Sequence, residues 1–174
     1  MKKSFCLLLV LFCVFLVACS KNQNTESEKG FKDGVDCEEV MNAVIGVTEH
    51  LDSEKIYLKS SNNLDSNNFS LWVDGLYGEC EEFKLLSDYA IFVSAGTTTY
   101  EVAVLKADEI DNVDKLKELL ERRKETLSLG DKGMYDPSFE TRINNSKVLT
   151  AGEFVILLIT DDNDAALEAI EKLK

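Results

Sequence analysis

The chain reads as an α+β domain: an antiparallel sheet of two hairpins, with helices packed mainly on one face. Two observations predict this. Two pairs of β-rich apolar runs each enclose a turn signal, and segments with a three-to-four-residue apolar period stand before, between and after those pairs. Length agrees, since the roughly 140 residues after position 34 can bury a core without a bound metal.

The first helix is expected from Val35 onward. Cys37, Val40, Met41, Val44, Ile45, Thr48 and Leu51 recur at helical steps. Asp36 suits its N-cap, and Glu38 and Glu39 suit the positive end of the helix dipole. After a polar loop over 59–63, Phe69, Trp72, Val73, Leu76 and Tyr77 predict a second, shorter helix stopped by Gly78. Core packing is the ordinary role of Trp72 and Tyr77 there. An exposed stripe would instead be a binding patch.

The period then changes to two. Runs 89–93 and 100–105 flank Ser94-Ala95-Gly96-Thr97 and read as a hairpin. Glu101 and Ala103 alternate with Tyr100, Val102 and Val104, so one face of this second strand is expected to be less buried. Val113, Leu116, Leu120 and Leu127 set the buried side of a helix over 113–127, ended by Gly130 and Gly133. Pro137 starts a short turn or helix. Runs 147–150 and 154–159 around Gly152 form the second hairpin, and a last helix follows Asp161-Asp162-Asn163-Asp164, with Ala166, Ala169, Ile170 and Leu173 facing inward.

The N-terminus carries an address. Lys2 and Lys3 precede 14 uncharged apolar residues over 5–18, which is signal-peptide length and short for a bilayer of ~30 Å. The run closes on Leu16-Val17-Ala18-Cys19-Ser20, similar to the lipobox of bacterial lipoproteins. A thiol is the nucleophile that takes a diacylglycerol as a thioether, and small Ala18 opens the bond before it to a peptidase. Cys19 is therefore the expected lipid attachment point, ahead of Cys6 and Cys13. The organisation becomes a lipoprotein signal peptide over 1–18, a polar tether over 19–34 and one domain over 35–174. Each buried methylene contributes ~0.8 kcal/mol, so two palmitate-type chains hold where one is marginal.

Charge narrows the partners. The net charge is −13, and loss of Lys2 and Lys3 leaves the mature chain at −15. Nucleic acid is disfavoured, because phosphate contacts need clustered Lys and Arg. Anionic headgroups repel such a domain, so the lipid on Cys19 must hold it to the extracytoplasmic face of the cell membrane.

These features look like the bacterial lipoproteins grouped as domain of unknown function family 4358. The resemblance rests on Leu76-Tyr77-Gly78, on 108–125 with its Glu-Leu-Leu-Glu-Arg-Arg-Lys-Glu helix, and on the stretch from Tyr135-Asp136-Pro137 through Gly152 and the strand to Asp162, within about 36–174. It implies a small extracytoplasmic lipoprotein domain and brings no catalytic residue with it.

Candidate chemistry is sparse. Cys37 and Cys80 remain after lipidation, and outside the cytoplasm they could pair. They would close a 44-residue loop giving ~4 kcal/mol, or Cys37 is a small hydrophobe on its stripe. Two lone thiols lack zinc-ligand spacing. His50, the only histidine, fits a solvated or capping role, with no elbow or triad set around it. From Asp161, the sixth and twelfth positions are Ala166 and Lys172, so a calcium loop fails and N-capping is expected. Glu79, Glu81 and Glu82 read as a solvated turn. Gly130-Asp131-Lys132-Gly133 lacks the ending of a phosphate loop. Arg122-Arg123-Lys124 reads as dipole complementation, or as docking to an acidic partner.

No catalytic, metal or cofactor site is therefore expected. The function that follows is a non-enzymatic interaction or accessory domain at the cell envelope, with an envelope protein or a small molecule as partner. A small-solute-binding lipoprotein and an envelope hydrolase are the alternatives.

Overall fold

A computed structural model describes residues 29–49, 54–94, 98–130 and 136–174. The signal peptide, Cys19, the tether up to 28, His50, Leu51, the hairpin residues 95–97 and the 131–135 stretch lie outside the described residues.

Among the described residues, five α-helices and five strands follow in order. They are α1 (Cys37–Ile45), β1 (Glu54–Leu58), α2 (Ser66–Asp74), β2 (Leu86–Ser94), β3 (Glu101–Ala107), α3 (Val113–Ser128), α4 (Phe139–Asn145), β4 (Lys147–Ala151), β5 (Phe154–Ile159) and α5 (Asn163–Glu171). The sheet order is β1-β2-β3-β5-β4, antiparallel throughout. The α+β class and both hairpins hold. β1 is a fifth strand, Glu-Lys-Ile-Tyr-Leu, whose two leading charged residues leave no apolar run for the sequence to show.

The helices, expected mainly on one face, divide three and two. On one face, Tyr89, Ile91, Leu105, Leu157 and Ile159 pack with α2, α3 and α4. On the other, Phe92, Val102, Val104, Ile156 and Leu158 pack with α1 and α5. The physical reason lies in the middle strands. β5 is buried at all six positions, and β3 at every position but Lys106. Strands apolar on both faces need cover on both.

Caps set the helix ends. Asp36 accepts from the Glu39 N–H at 2.8 Å, Asp65 from Asn68 at 2.8 Å and Asp162 from Ala165 at 2.9 Å. The helix expected to run to Gly78 stops earlier. Gly75 takes the left-handed conformation (φ 72°), and its N–H bonds to the Leu71 carbonyl. Apolar spacing continues past this glycine, but Leu76 and Tyr77 lie beyond the helix and are exposed.

The outer edge of β1 is occupied by a side chain. Asn63 Oδ1 accepts from the Leu58 N–H at 3.1 Å, and its Nδ2 donates to the Ile56 carbonyl at 2.9 Å. One amide thus answers two backbone groups that a neighbouring strand would otherwise use.

Gly75→Ala is expected to cost about 1 kcal/mol, because a Cβ is strained at positive φ. Urea unfolding followed by circular dichroism checks this. Unchanged stability would mean that α2 ends in another way.

Candidate functional site

Among the described residues, buried arginines meet carboxylates at two places. At the first, β3 and α3 bring Glu101 and Arg123 together inside the domain. Arg123 Nε donates to Glu101 Oε1 at 3.0 Å and Nη2 to Oε2 at 2.6 Å. Trp72 Nε1 donates to the same Oε1 at 3.0 Å, and Arg123 Nη1 donates to the Trp72 carbonyl. The guanidinium also lies 5.4 Å from the Trp72 ring centre. Glu101 is only 2% exposed, so the strand face expected to be less buried is instead filled. A carboxylate survives there because a bidentate cation and an indole satisfy it.

This arrangement corrects the reading of Arg122-Arg123-Lys124. α3 runs on to Ser128, which puts the triplet before its last turn. Arg123 is a core ion. Arg122 ties α3 to its neighbours, with Nε 2.7 Å from Asp74 and Nη1 3.1 Å from Glu82.

The second place is the end of the sheet where β3 begins and β5 finishes. Buried Arg142, on α4, donates from Nη1 to Asp136 Oδ2 at 2.6 Å and from Nε to Asp161 Oδ1 at 2.8 Å. Asp136 also accepts the Thr99 and Ser138 N–H groups, each at 3.0 Å. Burial works against ionisation of Asp136, but these two N–H donors and the Arg142 guanidinium outweigh it and hold the carboxyl below its usual value. Beside this knot lies a cleft of about 300 Å³, lined by Asn145, Lys147 and the 160–164 turn. Within the turn Asp162 is the cap already described, exposed Asp161 is the partner of Arg142, and Thr160 Oγ1 donates to Asn163 Oδ1 at 2.8 Å. The cleft can offer carboxylate and amide oxygens to a small polar molecule. Among the described residues, no group of three or more His, Cys, Asp or Glu could hold a metal ion.

The structure does not bring Cys37 and Cys80 together. Both thiols are free and buried, Cys37 in the cluster under α1 and Cys80 in the cluster on the opposite face. The sheet separates them, because α1 packs on one face and the loop after α2 on the other. Of the two readings left open, the structure has the separate core thiols, with Cys37 as a small apolar residue on its stripe. Burial pushes both up, the Cys80 thiol to about 11 with help from Glu82, whose Oε2 accepts from Sγ at 3.1 Å. For Cys37, Asp88 reinforces the burial. Of the three turn acids, Glu81 pairs with Lys84 at 2.8 Å, and Glu82 is drawn to Cys80 and Arg122.

The sequence reading missed the Arg142 knot entirely. Its members come from a loop, a seven-residue helix and a strand end, and only the fold relates them.

Three outcomes follow. Arg123→Met leaves a buried, uncompensated Glu101 and is expected to lose about 3–5 kcal/mol in urea unfolding. Pairing it with Glu101→Leu should recover most of that loss. A single variant as stable as the parent would refute a buried charge pair. Asp136, with its folded pKa lowered, stabilises the fold above its unfolded value near 4 and loses that contribution as pH falls through the folded value. Melting temperatures taken from pH 7 down to pH 3 should therefore fall more steeply for the parent than for Asp136→Asn. Finally, a thiol reagent at pH 8 should react with neither Cys37 nor Cys80 until denaturant is added, and a reductant should leave the melting temperature unchanged.

No curated protein and no solved structure matches the chain. The family described as Domain of unknown function (DUF4358) matches residues 82–160. That span takes in β2, β3, α3, α4, β4 and β5, and with them Glu101, Arg123, Asp136 and Arg142. Over the four strands that build most of its sheet, the chain resembles the DUF4358 family.

Proposed function

We propose that this protein is a lipid-anchored, extracytoplasmic lipoprotein whose folded part is a non-enzymatic interaction or accessory domain of the cell envelope. The observation that carries this reading is how the chain from Cys19 arrives at the domain. Lys2 and Lys3, the apolar run and Leu16-Val17-Ala18-Cys19 supply the address. Eleven residues beyond Cys19, the chain is already fastened. Gly30 lies against Gly152, and the Phe31 ring meets the Phe154 ring edge-on at 4.9 Å. The Lys32 N–H donates to the Leu173 carbonyl at 3.0 Å, and its Nζ to the Lys172 carbonyl at 2.6 Å.

Within the span expected to be tether, residues 30–34 thus belong to the domain edge. A short polar connection leads from the lipid to one fixed end of a domain too acidic to adhere to anionic headgroups by itself. Such an attachment suits a protein kept near a membrane to meet other components. A second reading, binding of a small polar solute, draws on the 160–164 cleft, which stands at the lower limit of ligand-pocket size.

Replacing Cys19 with Ala is the test. The parent should partition with membranes and show by intact mass an acylated amino terminus at Cys19. The variant should appear in the soluble fraction. A variant that stays with the membrane, or a parent with no acyl mass, would sink the anchor reading.

A further inference from the structure

The domain has two distinct ends. The chain enters at Gly30, beside the β4–β5 turn. β3 finishes at that same end, where the Ala107 N–H donates to the Glu153 carbonyl at 2.9 Å. The 108–112 connection leads from there into α3. At 1.5 Å per residue, the 16 residues of α3 span about 24 Å. They carry α3 back along the sheet, so that Arg123 stands level with Glu101, the first residue of β3. The end of α3 therefore lies at the opposite end from Gly30.

α2 finishes beside it. Arg122 binds Asp74, and a Cβ on Gly75 would sit 3.8 Å from Thr126 Cγ2. Leu129 is one turn past Thr126. The left-handed Gly75 then turns Leu76 and Tyr77 outward, and Ser70 Oγ fixes this turn by donating to the Leu76 carbonyl at 3.0 Å. Leu76, Tyr77 and Leu129 are 70%, 76% and 87% exposed, the three most exposed large apolar side chains among the described residues. Exposed Glu79 lies two residues past Tyr77, and exposed Glu125 and Glu121 precede Leu129 by four and eight residues, at helical steps along α3.

We propose that the corner formed by Leu76, Tyr77 and Leu129 is a docking surface for a second protein, one presenting an apolar slot with a rim of Lys and Arg, on the side turned away from the lipid anchor. Three exposed apolar side chains at one corner exceed the single scattered ones expected of a soluble surface. Tyr and Leu on a turn held by a backbone bond lose little freedom when buried. The acidic border selects a basic rim and steers its approach. A lipid surface is the poorer occupant, since the corner lies at the end opposite the anchored segment and its border repels anionic headgroups. The direction of the surface rests on the anchor reading; the surface itself does not.

The test places a photo-reactive amino acid at Tyr77, and separately at Glu153 near the anchored end, in the full chain on intact cells. Position 77 is expected to give a discrete protein adduct that position 153 does not give. Its yield should fall about tenfold with Leu129→Asp, as for loss of a central contact, and also when Glu79, Glu121 and Glu125 are changed together to Gln. Circular dichroism and melting of the variants establish that they fold. The proposal is overturned by no adduct, by the same adduct from both positions, by an adduct indifferent to Leu129→Asp, or by lipid adducts from position 77. For the last of these, the acylated chain in phosphatidylcholine–phosphatidylglycerol vesicles supplies the reference. Fractionation of the same cells separates the two readings. An unmodified, soluble parent that still gives the adduct removes the anchor and keeps the docking surface. A membrane-bound parent without the adduct does the reverse.

Discussion

Burial of β3 and β5 on both faces is the constraint from which the architecture follows. Val102, Ala103, Val104 and Leu105 face Leu158, Leu157, Ile156 and Val155 across one ladder, and every one of these side chains is buried. Apolar area removed from water contributes roughly 25 cal/mol per Å². Leaving either face open would therefore forfeit half of what these strands can supply. α1 and α5 close one side, and α2, α3 and α4 close the other. The remaining strands, β1, β2 and β4, extend the platform on which those helices rest.

Into one of these apolar layers the chain places a carboxylate. Glu101 starts β3, and its burial is tolerable only because Arg123 and Trp72 converge on it from two different helices. Such a pair adds little net stability, since desolvating two ions offsets their attraction, but it penalises any packing in which the three groups fail to meet. It fixes the rotation of α3 and the height of α2 at once. Arg142 acts similarly at the sheet end, joining the 136 loop, α4 and the turn after β5. Each joins separate elements, and all of the residues but Asp161 and Trp72 fall inside the stretch that resembles the family.

Much of the fold was legible because one-dimensional rules govern it. Apolar periods place α1, α3 and α5, with acidic caps marking the first and last of them, and the Gly152 turn between two apolar runs places β4 and β5. What escaped was whatever depends on the third dimension. FVILLI shows that β5 is buried but not which helix covers which side. Glu101 looks solvent-facing by alternation, and its cation lies 22 residues away. EKIYL opens on two charged residues and carries no apolar run or turn signal, and it pairs along the edge of β2. Gly75 and Gly78 both qualify as helix stops, and only the backbone shows that the first is used. Whether Cys37 and Cys80 could meet was open for the same reason, since nothing in the spacing tells on which side of the sheet a thiol falls.

Asn63 gives the molecule a sidedness that reaches past its own stability. A sheet grows by recruiting chains along its rim, and crowding multiplies the chances of doing so. With the Ile56 carbonyl and the Leu58 amide already answered by an internal side chain, a passing strand would have to displace that amide to bond at these two positions. That stretch of the rim is thereby blunted as a template for lateral growth, while β4 forms the opposite rim.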